Sequence, residues 1–170
     1  ITMNVKMKFK KIKYFKNFLS NLDFNFNTLT DILNTSELHQ FIKAEPSDTI
    51  NFKKIFDHIY QVKNIDRTTY LKPIYNLIVD KTKDNFVAGD FDLFISFKAV
   101  KGGAHFDKEN VIILGLCGRT EYYFPSLNKS YFINSGDALY IPSGTSHRAS
   151  SNTARAVASL SLYLNETSSN

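Results

Sequence analysis

The stretch that decides the fold runs from residue 102 to residue 147. It opens with GGAHFD (residues 102–107) and closes with GDALYIPSGTSH (residues 136–147). Two apolar segments, residues 111–116 and 122–124, lie between these ends. Short apolar runs bounded by turn residues are typical of buried strands, so the stretch predicts part of a small β-barrel.

Two polar residues at the start of this stretch have a spacing that suits metal binding. His105 and Asp107 are two residues apart, so on a strand both side chains would point to one face, about 7 Å apart along the chain. Barrel closure would bring His147 alongside them from a distant strand. Two histidines and one carboxylate on one side of a metal form the facial triad of non-haem Fe(II) oxygenases, which leaves the opposite positions open.

The residues before His147 support its position at the start of a strand. Residues 138–141 are a short apolar run that predicts a buried strand. The next residues, Ile141-Pro142-Ser143-Gly144, fit a type I turn with proline second and glycine fourth. His147 follows where a new strand would begin.

Four residues around this turn carry a resemblance to a known family. Gly136, Pro142, Gly144 and His147, separated by five, one and two residues, resemble the second motif of the cupin superfamily. The resemblance implies a mainly β fold, the double-stranded β-helix of the cupin jelly-roll barrel.

The first motif resembles one branch of that superfamily. His105-x-Asp107 followed by residues 111–118 is similar to the motif of JmjC-type hydroxylases, which have HxD where many other cupins have HxH. The glutamate that other cupins place near Val111 or Ile112 is missing, which agrees with a site of three ligands. The resemblance covers residues 74–164 and rests on the two motifs together.

The chemistry implied by this resemblance is that of an Fe(II)- and 2-oxoglutarate-dependent dioxygenase. His105, Asp107 and His147 would hold the iron, and 2-oxoglutarate and O2 would take the open positions. The implied reaction is hydroxylation of a peptide, a protein side chain or a small amino-acid-like metabolite. Two alternatives remain open: a metal-binding cupin that does not use 2-oxoglutarate, such as an isomerase or an O2-only dioxygenase, and a non-catalytic binding cupin.

The residues that would bind 2-oxoglutarate depart from the family pattern. JmjC-type hydroxylases usually place a lysine or arginine two residues after the glycine that matches Gly118, and here that position is Thr120. Arg119 is adjacent but should point to the opposite face of the strand. Arg155 resembles the arginine that other 2-oxoglutarate oxygenases supply from their last strand. We therefore expect Arg155 to anchor the far carboxylate and Thr120 to add a hydrogen bond.

Length and composition agree with one folded domain. The chain has 170 residues, 43% of them hydrophobic, and no run approaches the ~18 apolar residues of a membrane helix. No signal peptide is visible, and the single cysteine, Cys117, suits a reducing compartment. We expect a cytoplasmic protein without a membrane partner, formed by residues 1–170 as one domain.

Positive charge is concentrated at the N-terminus. The first 16 residues contain six lysines and no acid, within a net charge of +5 for the whole chain. Such a segment can attract nucleic acid. However, Val5, Met7 and Phe9 alternate with lysines as in an edge strand with a wet outer face, and no nucleic-acid motif accompanies them. We therefore expect no nucleic-acid partner.

The remaining elements follow from local patterns. Thr30 or Asp31 can cap a helix that runs to about Ile42, and apolar spacing predicts a second helix over residues 52–62. Residues 1–73 would pack as a strand and helices on a barrel core of residues 74–164. The predicted strands of that core are residues 74–79, 91–97, 111–117, 120–124, 131–133, 138–141 and 156–164.

Overall fold

Two antiparallel β-sheets that face each other form the body of the described chain. The structure is a computed structural model that describes residues 10–20, 22–33, 57, 59–67 and 69–165. Its strands are β1 (Lys13–Phe15), β2 (Tyr60–Val62), β3 (Phe86–Ser96), β4 (Val100–Lys101), β5 (Asn110–Cys117), β6 (Thr120–Phe124), β7 (Lys129–Ile133), β8 (Ala138–Ile141), β9 (Arg148–Ser151) and β10 (Arg155–Leu164).

The order of the strands shows that the chain crosses repeatedly between the sheets. The larger sheet has the order β1-β8-β5-β10-β3-β2, and the smaller sheet has the order β4-β9-β6-β7. All of the paired strands named above are antiparallel. The fold is the double-stranded β-helix that the sequence predicts, a jelly-roll barrel in which two sheets enclose an interior.

Strand β5 is apolar from Val111 onward because both of its faces are buried. Val111 and Ile113 belong to a cluster between the two sheets, whereas Ile112, Leu114 and Leu116 belong to a larger cluster behind the six-stranded sheet. A strand covered on both faces has no need to alternate apolar and polar residues. This is why its sequence is a continuous apolar run.

Strand β10 places the charge of Arg155 inside the barrel, because successive side chains of a strand point to opposite faces. Val157 belongs to the cluster between the sheets, and Ala156 and Ala158 belong to the cluster behind the larger sheet. Because side chains two apart share a face, Arg155 and Ser159 point to the same interior as Val157. Arg155 lies opposite Ser96 of β3 at the start of this pairing.

Two helices pack behind the larger sheet and correct two predictions. Helix α1 (Phe26–Leu33) begins before Thr30, because the Asn25 side chain accepts hydrogen bonds from the backbone N–H groups of Asn27 at 2.9 Å and Thr28 at 3.1 Å. Helix α2 (Lys72–Thr82) replaces the strand predicted over residues 74–79, which is wrong. Pro73 suits a first helical turn, and Ile78 is buried against the sheet.

The second helix predicted near the N-terminus is only partly within the described residues. The helix predicted over residues 52–62 is wrong at its end, because Tyr60–Val62 is strand β2 and pairs with β3 from Leu93 to Ile95. Residues 5–9 and 34–42 lie outside the described residues. No helix in the described part of the chain is both long enough and apolar enough to cross a membrane.

A buried carboxylate fastens the N-terminal segment to the barrel. Asp137 accepts hydrogen bonds from the Tyr14 hydroxyl at 2.7 Å, the Asn17 backbone N–H at 2.9 Å and the Asn134 backbone N–H at 3.0 Å. Burial acts to raise the pKa of Asp137, but these bonds outweigh it and hold the pKa below its usual value. Asp137 is therefore a charged structural group that holds β1 beside β8.

Candidate metal centre

Three potential metal ligands meet at the open end of the barrel. One ligand atom from each of His105, Asp107 and His147 lies within 4.8 Å of the other two. His147 Nε2 is 3.7 Å from Asp107 Oδ2, and the two imidazole rings have centroids 4.5 Å apart. These separations suit three donors on one side of a single ion.

Backbone hydrogen bonds fix the segments that carry these side chains. The His105 N–H donates to His147 O at 3.0 Å, and the His147 N–H donates to His105 O at 2.8 Å. Gly144, in the turn before His147, donates its N–H to Asp107 O at 2.8 Å. His105 therefore lies in a single antiparallel bridge beyond β4, and the turn at Pro142–Gly144 positions Asp107.

The tautomer of both histidines follows from their own backbone. His105 Nδ1 is 3.2 Å from Gly103 O, and His147 Nδ1 is 2.9 Å from Thr145 O. A carbonyl oxygen only accepts, so each Nδ1 carries the proton and each Nε2 keeps a free lone pair. This is the arrangement that a metal-binding imidazole needs.

Burial keeps His147 in the neutral form. The side chain is 2% exposed, and its ring lies 6.0 Å from the rings of both Tyr122 and Phe124. Burial lowers the pKa of His147, and the charge of His105 acts in the same direction. A neutral imidazole at physiological pH can donate its Nε2 lone pair without first losing a proton.

A cavity of about 270 Å³ opens beside the triad. Its wall combines the three candidate ligands with apolar side chains from both sheets, among them Phe94, Ile113 and Ala149. Gly102, Gly103 and Ile59 also line it. The cavity therefore lies next to the open side of the candidate metal centre.

A buried cation lies in the wall of the same cavity. Arg155 is 2% exposed, and its Nε has no hydrogen-bond partner. Among the described residues no carboxylate forms an ion pair with it. Tyr122 lines the same cavity, and burial raises the pKa of its phenol while the charge of Arg155 acts to lower it. A guanidinium only donates, so the Tyr122 O–H remains available to donate to a ligand.

The other two residues singled out near Gly118 point in opposite directions. Thr120 is 1% exposed, and its Oγ1 has no hydrogen-bond partner, but it is not part of the cavity wall described above. Arg119 lies on the outside of the sheet, with Cζ 4.1 Å from the centroid of the Phe132 ring. The expected reversal of Arg119 relative to Thr120 is therefore present.

Tyr122 and Ser159 are the polar wall residues that sequence reasoning missed. Tyr122 is two residues after Thr120, and Ser159 is four residues after Arg155, so each shares a face with a residue already singled out. The period of two could have found both of them. Ile59 and Phe94 carried no comparable signal, because only the closed barrel brings them to this cavity.

Comparisons with known proteins identify the fold. No protein-family model and no curated protein matches the chain. Among solved structures, the Escherichia coli ribosomal oxygenase YcfD matches at 17% identity with a TM-score of 0.66, over 94% of this chain and 50% of that one. A second structure of that protein gives a TM-score of 0.65 over 49% of its length. A cupin superfamily protein from Desulfitobacterium hafniense matches at 15% identity with a TM-score of 0.40, over 43% of this chain and 65% of that one.

The two YcfD structures support the fold described above. The chain has the cupin jelly-roll fold, with a His-Asp-His cluster at the mouth of the barrel. It spans about half the length of the YcfD chains, and at this identity the likeness establishes the fold alone.

Proposed function

We propose that the protein is an Fe(II)- and 2-oxoglutarate-dependent dioxygenase that hydroxylates a peptide or protein side chain, or a small amino-acid-like metabolite. The observation that carries this proposal is the pairing of the His-Asp-His cluster with a buried, unpaired arginine in one cavity. Fold likeness to a ribosomal oxygenase supports the oxygenase class and a protein substrate.

The donor set fits a ferrous ion. His105 and His147 each offer a free Nε2, and Asp107 offers a carboxylate oxygen on the same side. Two imidazoles and one carboxylate are the ligands of non-haem Fe(II) oxygenases, and the opposite positions would face the cavity. When bound, the iron with 2-oxoglutarate and O2 supplies oxidative decarboxylation coupled to hydroxylation.

Charge balance supports 2-oxoglutarate as the co-substrate. The formal charges of a ferrous ion, the Asp107 carboxylate and the Arg155 guanidinium leave two positive units in a partly buried space. The two carboxylates of 2-oxoglutarate would neutralise them. A buried cation without a partner is unfavourable, so an anion in the cavity would stabilise Arg155. Its planar fork can hold the far carboxylate with two parallel hydrogen bonds.

The other residues of the cavity would orient the co-substrate and exclude water. Tyr122 lines the same cavity as the guanidinium and can donate its own O–H to the same carboxylate. Thr120 lies outside the wall of this cavity, but its buried Oγ1 has no partner, and we expect it to add a hydrogen bond to the co-substrate from the same face of β6 as Tyr122. Phe94, Ile113 and Ala149 present apolar surface that would exclude bulk water from the reacting centre.

The size of the cavity favours a substrate presented as one side chain. A volume of about 270 Å³ is slightly below the ~300–1,000 Å³ typical of drug-sized ligand sites. Once 2-oxoglutarate is bound, the remaining space would admit only the end of a side chain. The mouth beside Gly102 and Gly103 would receive it, because small residues let another chain approach closely.

A second function is favoured by one specific observation. Thr120 stands where JmjC-type hydroxylases have a lysine or arginine, so the usual anchor for 2-oxoglutarate is missing. A metal-binding cupin without 2-oxoglutarate, either an isomerase or an O2-only dioxygenase, would have no need for that anchor. The buried Arg155 favours the first function over this one.

Anaerobic titration separates the two functions. The Fe(II)-loaded protein is titrated with 2-oxoglutarate, and we expect a metal-to-ligand charge-transfer band, which the His147→Ala variant should not show. Adding O2 should then produce succinate. A protein that binds Fe(II) but shows neither the band nor succinate is the cupin without 2-oxoglutarate.

A further inference from the structure

The outside of the four-stranded sheet is an aromatic and basic surface that the proposed chemistry does not use. Directly paired residues share a face, and Tyr122, Phe124 and Ile133 belong to the inner cluster. The outer face therefore carries Glu121 and Tyr123 from β6, Ser130 and Phe132 from β7, and Arg148 and Ser150 from β9. Arg119 and Lys101 extend it at either side.

Each aromatic ring on this outer face has an arginine beside it. Arg119 Cζ lies 4.1 Å from the Phe132 ring centroid, and Arg148 Cζ lies 5.0 Å from that of Tyr123. Phe132 is 44% exposed. Neither arginine is in an ion pair with a carboxylate among the described residues. Both guanidiniums therefore keep their charge available to a ligand while they lie against a ring.

The charge of the outer face is positive. Lys101, Arg119 and Arg148 face a single acid, Glu121, whose carboxylate accepts hydrogen bonds from the hydroxyls of Ser130 at 2.5 Å and Ser150 at 3.3 Å. At the edge of the sheet, Lys129 Nζ lies 4.7 Å from the centroid of Tyr131, whose ring is 6.4 Å from that of Tyr14 in β1. Strand β1, which contains Lys13, therefore approaches this edge.

Two adjoining depressions cross the outer face. One has a volume of about 230 Å³ and is lined by Arg119, Glu121, Phe132 and residues 150–153. The other has a volume of about 320 Å³ and is lined by residues 99–101 and 150–152. The shared residues are two serines and an asparagine, which can both donate and accept hydrogen bonds. The depressions form one polar track beside the exposed ring.

We propose that the outer face binds single-stranded RNA. Phe132 and Tyr123 are diagonal neighbours on paired strands, about 7–8 Å apart, and would each stack one base. Lys101, Arg119 and Arg148 would contact phosphates. The hydroxyl and amide groups of residues 150–153 would contact 2′-hydroxyls, which distinguish RNA from DNA.

Aromatic stacking is the reason to prefer RNA over an acidic peptide. An acidic peptide would be attracted by the same charges, but it has no planar bases to stack on the exposed ring of Phe132 and the half-buried ring of Tyr123. A sheet face with aromatic residues flanked by cations is the surface that single-strand binding domains present. The proposal departs from the expectation, drawn from the N-terminal lysines and the lack of a nucleic-acid motif, that the chain has no nucleic-acid partner, because this surface is assembled from β4, β6, β7 and β9.

The inference does not rest on the proposed oxygenase activity. The candidate metal centre and its cavity use the inner side chains of the same sheet, such as Tyr122 and Ala149. Asp107→Ala should therefore bind RNA as tightly as the unmodified chain. This variant separates failure of the RNA proposal from failure of the metal proposal.

The test measures fluorescence anisotropy of a labelled oligouridine of about ten nucleotides with the full chain at low salt. We expect saturable binding that weakens as salt increases. Phe132→Leu and Tyr123→Leu keep an apolar side chain but lose the stacking face, and each should weaken binding by about 5- to 150-fold. Tyr163→Leu, an exposed tyrosine on the larger sheet, is the matched control.

A second pair of variants tests the charges. Arg119→Gln with Arg148→Gln should weaken binding and reduce the slope of log affinity against log salt by about 1.4, since each phosphate contact contributes about 0.7 for single strands. Lys63→Gln with Lys72→Gln removes the same charge from exposed positions elsewhere and should change both quantities much less.

Four outcomes would overturn the proposal. The first is no binding at low salt, and the second is an equal loss of affinity in the arginine pair and in the lysine control pair. The third is unchanged affinity in both Phe132→Leu and Tyr123→Leu. The fourth is that polyglutamate or duplex RNA competes as effectively as the single strand. Equal affinity for the matching DNA strand would overturn the assignment to RNA. Melting temperatures within a few degrees of the unmodified protein exclude loss of fold as the cause of weaker binding.

Discussion

Replacing Arg155 with methionine tests the centre of the proposed function. Arg155 is 2% exposed in the wall of the cavity that also contains His105, Asp107 and His147. Methionine has an unbranched, flexible side chain that can fill much of the same volume without a charge or a donor. The substitution therefore removes the proposed carboxylate anchor and leaves the three candidate ligands in place.

The expected effects on binding and on stability have opposite signs. Hydrogen bonds to charged groups contribute about 1.5–3 kcal/mol, so the variant should bind 2-oxoglutarate roughly 10- to 150-fold more weakly. The ligand-free protein should keep its stability or gain some, because Arg155 is a buried cation without an ion-pair partner among the described residues. A residue needed only for folding would not combine these two effects.

The assay follows the charge-transfer band during anaerobic titration of the Fe(II)-loaded protein. Arg119→Met is the matched control, because this arginine lies on the outer face of the four-stranded sheet and should not contribute to 2-oxoglutarate binding. Arg155→Lys should bind with intermediate affinity, since an ammonium keeps the charge but cannot form the two parallel bonds. Fe(II) affinity, measured separately, should hardly change in any of the three variants.

Two results would refute the reasoning. If Arg155→Met binds 2-oxoglutarate as tightly as the unmodified protein, the anchor lies elsewhere. If the unmodified protein does not bind 2-oxoglutarate at all, the protein is a metal-binding cupin of the second kind proposed above.

Four further predictions concern the ligands, the cavity and the fold. His105→Ala and Asp107→Ala should each lower Fe(II) stoichiometry and affinity without unfolding the protein; full metal content in the purified variants would contradict the triad. Tyr122→Phe should weaken 2-oxoglutarate binding by about 0.5–1.5 kcal/mol, less than the loss of the arginine, in the same titration. Asp137→Asn should lower the free energy of unfolding in urea by about 1–3 kcal/mol at neutral pH. Because the folded pKa of Asp137 is depressed below the unfolded value of about 3.9, its contribution is present above that value and is lost as pH falls through the folded pKa, so the two stability curves should converge below about pH 4. Leu160→Ala, at a fully buried position, should cost about 2–5 kcal/mol in the same urea experiment, and a smaller loss would mean that the core closes over the gap.

The barrel strands could be predicted wherever local signals agreed. Strands β6 and β8 begin and end at the predicted residues, Thr120–Phe124 and Ala138–Ile141. Both are short runs limited by glycine, proline or asparagine, so composition and turn chemistry place the same boundaries. The predicted strand over residues 91–97 is confirmed, but β3 begins earlier, at Phe86, because pairing with β10 extends it.

Helix α2 shows why a short apolar run was misread. Residues 74–79 are mostly β-branched or aromatic, which favours a strand when only local preference is considered. A run of this length does not distinguish a strand from the buried side of a helix. Burial of Leu71, Ile78 and Thr82 against the larger sheet decides in favour of the helix, and that contact is not visible in the sequence.

The candidate site could be predicted only in part, because some of its residues come together only through contacts between distant strands. His105 and Asp107 are close in sequence, and the turn before His147 has a recognisable pattern, so their convergence follows from short motifs and barrel closure. Tyr122 and Arg155 come from strands β6 and β10 in different sheets. Their contact depends on the register of both strands, which no single segment of sequence determines.

Strand β6 connects the two proposals through the period of two along a strand. Thr120, Tyr122 and Phe124 face the barrel interior, and Glu121 and Tyr123 face outward. One strand therefore supplies a wall of the cavity and part of the proposed RNA surface without any side chain in common. A shift of one residue in its pairing would move the Tyr122 phenol away from Arg155 and turn Glu121 into the cavity, where its negative charge would oppose an anionic co-substrate. Both the cavity and the outer face therefore depend on the pairing of β6 with β7 and β9. This pairing directs Tyr122 toward the proposed 2-oxoglutarate site and its neighbour Tyr123 toward the proposed RNA surface.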